Sequence, residues 1–98
     1  MSAGKPFYQA AAGTNVVIAT GPAILEKIIF CKDVASSVVE VSDSVDDGNG
    51  NIQIHIEGST LMTQTCGELL VGASFVKGIC TDITNQTNLT FVWRPQAA

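Results

Sequence analysis

The stretch SVDDGNGNIQIHIE, Ser44 to Glu57, gathers Asp46, Asp47, Asn49 and Asn51 around two glycines and sets His55, the only histidine, just downstream. Three kinds of chemistry would use such residues: calcium coordination, phosphate binding at a glycine turn, and acid–base catalysis by the imidazole.

A calcium loop of the EF-hand type needs oxygen ligands at alternate positions, glycine at the sixth and a bidentate glutamate at the twelfth. Counting from Asp47 finds Asp47, Asn49 and Asn51, then Ile52 where glycine is needed and Gly58 at the last place, so the pattern fails. A looser site would draw on Asp43, Asp46 and Asp47, whose clustered carboxylates suit a hard cation. Phosphate binding asks for G-x-G-x-x-G between a strand and a helix. Gly48, Gly50 and Gln53 stand at those places and a strand-like run follows, which rules the motif out.

A serine or cysteine nucleophile needs an oriented base, and His55 is the only imidazole to supply one. Its neighbours put it on the polar side of an alternating strand, the ordinary setting of a surface or interface histidine. The nearest approach to a nucleophile elbow, GASFV at 72–76, ends in valine and precedes no helix pattern. Paired carboxylates acting as acid and base are not distinguishable in the sequence from solvated loop acids. Cys31, Cys66 and Cys80 are odd in number and widely spaced, with no C-x-x-C pair to start a zinc site. They are expected to be reduced thiols packed in or near a core. NQT at 85–87 and NLT at 88–90 are formal glycosylation acceptors, expected instead to be turn and strand residues. No metal, cofactor, small-molecule substrate or enzymatic activity is expected.

The elements that must carry these residues are strands. Ile52, Ile54 and Ile56 alternate with Gln53, His55 and Glu57, which predicts a half-buried strand with the isoleucines inward. Val39 and Val41 alternate with Glu40 and Ser42 in the same way. The two runs make a hairpin around DDGNGN, whose glycines, asparagines and aspartates favour a bend. NVVIAT at 15–20, GELLVGASF at 67–75, GICTDIT at 78–84 and NLTFVWR at 88–94 add further strands, the last with Leu89, Phe91 and Trp93 on one face. GPAILEKIIFCK also fits helical spacing, but strand is preferred. Turn signals at ATGP, KDVASS, IEGS, VKG and TNQTN separate these runs. Seven or eight short strands in a two-layer antiparallel β-sandwich follow. Residues 1–14 are read as an N-terminal arm and 15–98 as the sandwich domain.

Composition bounds the partners. The chain of 98 residues is 46% hydrophobic and 14% charged, against about 25% charged in an average soluble domain. No apolar run approaches the roughly 18 residues of a spanning helix, so membrane insertion is not expected and self-association or docking is. The first thirteen residues lack an apolar stretch suited to a secretory signal, and cytoplasmic synthesis is expected. Five scattered basic residues against nine acidic ones, net charge −4, argue against nucleic acid. Phe7, Tyr8, His55 and Trp93 are the candidate interface residues, since aromatics are enriched at interfaces. For Trp93 a place in the core beside Phe91 is preferred.

Gly21, Leu25 and Ile28, then Asp43 before a polar loop, then Phe75 with Gly78 and Ile79, and finally Phe91 to Arg94 occur in an order that resembles small tailed-bacteriophage virion proteins. The resemblance spans about residues 15 to 95. The chain departs from the group's pattern in FVKGI, with two residues before the glycine, and in its cysteines. It implies a jelly-roll-like β-sandwich and the role of a capsid decoration (cement) or head-fibre and knob protein. The expected partners are the major capsid protein and further copies of this chain, as a trimer. The expected location is the capsid surface of the virion, after synthesis in the bacterial host cytoplasm. The alternative reading is a receptor- or carbohydrate-binding sandwich of a tail or head fibre, with Asp46, Asp47, Asn49 and Asn51 as loop contacts.

Overall fold

The structure, a computed structural model, describes residues 4–9, 11–31, 37–48, 50–57, 66–86 and 88–96. The expected turns at KDVASS and IEGS lie largely outside these residues, as do Asn49 and Thr87. The described strands are β1 (Lys5–Gln9), β2 (Gly13–Thr20), β3 (Ala23–Cys31), β4 (Val38–Asp43), β5 (Ile52–Glu57), β6 (Cys66–Phe75), β7 (Gly78–Thr84) and β8 (Leu89–Pro95). Within the segment read as an arm, Lys5–Gln9 pair along β8. Residues 23–31, open to a helical reading in sequence, form β3, flanked by β8 and β6.

All pairings are antiparallel, in two four-stranded sheets of order β1-β8-β3-β6 and β2-β7-β4-β5. The pairs β4·β5, β3·β6, β2·β7 and β1·β8 nest inside one another, as if one long hairpin had been rolled up until alternate pairs fell into opposite sheets. That is the wiring of a jelly roll, and the protein is an all-β, two-layer sandwich.

Period-two alternation builds the core. Phe7, Phe91, Ile28 and Leu69 lie opposite one another across β1, β8, β3 and β6. Ile83, Val39 and Ile56 do the same across β7, β4 and β5. Both rows belong to one apolar cluster that also holds Leu25, Phe75, Ile79 and Leu89. Phe75 and Phe91 are its largest fully buried side chains.

One expectation fails. Ile54 and Ile56 face the core, but a register shift between Val41 and Ser42 leaves Gln53 without an opposite residue and sets Ile52 against Ser42. The bulge inverts the alternation, and Ile52 is 42% exposed. At the β7–β8 turn, Asn85 and Asn88 hold positive φ of 55° and 57°, the backbone region that asparagine tolerates best among residues with a Cβ.

Candidate functional site

After β4 the chain makes a tight bend: the Ser44 hydroxyl accepts from the Asp46 and Asp47 amides at 3.2 and 3.1 Å, and Gly50 N–H reaches the Asp47 carbonyl at 3.4 Å. The bend then turns back onto its own sheet. Gly48 N–H donates to Asn15 Oδ1 on β2 at 2.8 Å, its carbonyl accepts from Ser42 Oγ at 2.6 Å, and Asn15 N–H donates to Asp82 Oδ1 at 2.7 Å. A Cβ on residue 48 would sit 2.7 Å from the Thr81 carbonyl carbon, so only glycine lets the loop lie this flat against β7.

The consequence falls on Ser42 and Cys80. They are opposed across β4 and β7, one position out of step with the core residues Val41 and Ile79, which places them on the outer side of the sheet. Both are nonetheless 0% exposed. Burial pushes the Cys80 thiol up, and the Asp82 carboxylate adds to the effect. Cys80 is a free, protonated thiol under a loop.

Asp43, one of the three acids considered for calcium, faces the other way. Its carboxylate accepts from the amides of Val76, Lys77 and Gly78 at 3.1, 2.7 and 3.3 Å, closing the β6–β7 turn. Desolvation alone would raise its pKa, but the three N–H donors, Lys77 foremost, and the Lys77 charge bring it below the ordinary value. A Cβ on Gly78 would come 2.5 Å from the Ala19 carbonyl oxygen, so this turn too requires glycine. Asp43, Phe75, Gly78 and Ile79, which help carry the sequence resemblance, therefore meet in one fold-making unit. Among the described residues no group of three or more His, Cys, Asp or Glu could hold a metal ion. Of the loop contacts named for a receptor or carbohydrate, Asp46, Asp47 and Asn51 are exposed on the bend.

His55 lies on the same outer side of the second sheet. Its Nδ1 is 3.0 Å from Glu40, directly opposite on β4, and its Nε2 is 3.2 Å from Glu57. The Glu57 and Glu40 carboxylates hold its pKa above the usual value. Both ring nitrogens face carboxylates, an arrangement that favours the protonated imidazole.

The outer side of sheet β1-β8-β3-β6 differs. Tyr8, Thr90, Ile29 and Glu68 form one row across the four strands, and Pro6, Val92, Lys27 and Leu70 the next. Tyr8 is 59% exposed, Ile29 36% and Leu70 78%. The Tyr8 hydroxyl donates to Asn88 Oδ1, which fixes the ring at the β1 edge. Two ion pairs frame the apolar residues, Lys27–Glu68 at 3.2 Å and Arg94–Glu26 at 3.3 Å.

Of the four candidate interface residues, only Tyr8 lies on this surface. Phe7 and Trp93 are half-buried on the inner side against the core, with Lys5 Nζ 5.6 Å from the Trp93 ring centroid, and His55 belongs to the opposite sheet. Ile29 and Leu70 were missed. For Leu70 the signal was present in GELLVGASF, where inward Leu69, Val71, Ala73 and Phe75 oblige Leu70 to point outward. Comparison with protein-family models, with curated proteins and with solved structures gives no match.

Proposed function

We propose that this chain is a bacteriophage capsid decoration (cement) protein that self-associates as a trimer and binds the major capsid protein on the outer surface of the shell. Its work is adhesion, without catalysis. The observation that carries this reading is the open outer side of sheet β1-β8-β3-β6, where Tyr8, Ile29 and Leu70 stand in water beside Pro6 and Val92.

The physical driving force is removal of that apolar surface from water, at roughly 25 cal/mol per Å². A protein interface of standard size covers about 1,600 Å², and the Lys27–Glu68 and Glu26–Arg94 pairs supply a polar rim that fixes orientation. Contacts of modest strength repeated over a lattice sum through multivalency. A charged fraction of 14% fits a surface that is partly covered in use. Association would also protect the edge strands β1 and β6, whose outer backbone groups would otherwise invite uncontrolled pairing.

The test is light scattering coupled to gel filtration, followed by co-sedimentation with mature capsid shells. The expected mass is three times the 10.2 kDa chain, and the protein pellets with shells. A double variant, Tyr8→Lys and Leu70→Lys, is expected to stay folded and lose both properties. A monomer that leaves shells bare, and is unaltered by the double variant, would sink the proposal.

A further inference from the structure

The strands of sheet β2-β7-β4-β5 carry Glu40, Asp43, Glu57 and Asp82 but no lysine or arginine, so His55 is the one side chain of those strands able to hold a positive charge. It stands on β5, an edge strand paired with β4 alone. Glu40 lies directly opposite on β4, and Asp82 of β7 faces Glu40 from its other flank, where it accepts the Asn15 N–H at 2.7 Å. Glu57 is two residues along β5, on the same side of the sheet as His55.

The two contacts of the ring cannot both survive the loss of a proton. Nδ1 is 3.0 Å from a Glu40 oxygen and Nε2 is 3.2 Å from a Glu57 oxygen. An ionised carboxylate only accepts, whereas a neutral imidazole has one N–H and one bare lone pair. Both contacts are therefore hydrogen bonds only when both nitrogens carry protons; in the neutral ring, one of them sets lone pair against lone pair. The Glu40 side chain is 22% exposed and that of Glu57 56%. Glu40 is confined between β5 and β7, while Glu57, the last residue of β5, is free to swing into water.

We propose that Glu40, His55 and Glu57 form a proton-operated clasp on edge strand β5. With both nitrogens protonated, the imidazole ties β4 to the end of β5. On losing a proton it keeps Nδ1–H on Glu40 and releases Glu57. The Glu57 and Glu40 contacts both favour the cation, so the clasp is closed below the ordinary histidine value of 6.5 and opens as pH rises through a higher one. The change is local. Glu57 pairs with Val38 at the first position of β4, and loss of its tether loosens that end of the β4–β5 ladder while the pairing of β4 with β7 stays in place. The clasp does not depend on any role in a virion.

The experiment titrates the intact, isotope-labelled protein from acidic to alkaline pH and reads His55 from the long-range proton–nitrogen correlations of its ring, which separate the cation from each neutral tautomer. The expected result is a midpoint above 6.5 and, beyond it, a neutral ring protonated on Nδ1, where a free imidazole side chain prefers Nε2. Glu57→Gln should lower the midpoint and keep the Nδ1–H form. Glu40→Gln should lower the midpoint and move the proton to Nε2, because a carboxamide can donate to the bare Nδ1. Amide exchange at the end of β5, corrected for the intrinsic effect of pH, should quicken about two- to threefold relative to β7 as the ring loses its proton. Glu57→Gln should abolish that change, since a carboxamide bonds the ring in either state. A midpoint at or below 6.5, a wild-type neutral ring protonated on Nε2, a tautomer unmoved by Glu40→Gln, or exchange indifferent to the charge of the ring would each overturn the proposal.

Discussion

Sheet β2-β7-β4-β5 covers part of its outer side with the chain between Asp43 and Ile52, whereas sheet β1-β8-β3-β6 leaves Tyr8, Ile29 and Leu70 in water. Both sheets are built from the same alternation of inward and outward residues and share one core. The difference comes from where the loops go. In the second sheet Ser42 and Cys80 are sealed by Gly48, Asn15 and Asp82; on the first, the described residues place side-chain ion pairs and the Tyr8–Asn88 hydrogen bond at the surface. A face covered by its own loop contributes to monomer stability, and an uncovered one is available for binding. Substitutions on the two sides should therefore separate stability from association.

The largest effect is expected from Gly48→Val, which forces a branched side chain into the Thr81 backbone and the Asp82 carboxylate. Overpacking of this kind costs about 3 kcal/mol, a fall in melting temperature on the order of 15 °C for a domain this size. Cys80 should then alkylate faster in the native protein; unchanged protection would mean the loop is not the cover.

Asp43→Asn comes next. It keeps the shape but weakens three hydrogen bonds to backbone amides, at about 2 kcal/mol by thermal melting. Because the folded pKa of Asp43 lies below its ordinary 3.8, its contribution is fully present above that value and is lost as pH falls through the folded one. The variant should consequently show a shallower acid-induced drop in melting temperature than the wild type. Parallel acid profiles would assign the sensitivity to another group.

On the open face, Leu70→Lys should change monomer stability by no more than about 0.5 kcal/mol while lowering the mass seen by light scattering. A large fall in melting temperature at constant mass would show that Leu70 supports the fold instead. The smallest effect belongs to His55→Gln. The folded pKa of His55 is raised, so its ion pairs contribute below its ordinary 6.5 and fade as pH rises through the folded value. Wild type and variant should differ slightly in mildly acidic, low-salt buffer and converge in alkaline buffer or high salt, as measured by melting.

Much of this was legible in the sequence, for reasons that also mark the limits. Alternation in SVVEVSD, GICTDIT and NLTFVWR identified strands, and inward Phe91 with half-buried Trp93 follow from the same period. The bend at DDGNGN was readable from its residue types, but its docking on β7 was not, because that depends on Asn15 and Asp82, remote in sequence and adjacent only after folding. Ile52 was misassigned because a single-residue bulge reverses the inside and the outside, and nothing local in NIQIHIE announces it. Asp43 was marked as a position but not as a turn cap, since its partners are more than thirty residues downstream. Tyr8 was the one interface candidate that reached the open face; Ile29 was hidden as an ordinary strand residue, whereas the alternation of GELLVGASF already turned Leu70 outward.

The nesting of strand pairs also sets an order of assembly. Only β4 and β5 close a short loop; β3 must find β6 across residues 32–65, β2 must find β7 across 21–77, and β1 reaches β8 across 10–88. Each pair costs more chain entropy to close than the one inside it, which puts folding on the millisecond-to-second scale of proteins dominated by distant contacts. The outermost strand, β1, is held along only one side, by β8. It closes the longest loop of any paired strand, so its detachment leaves every inner pairing intact.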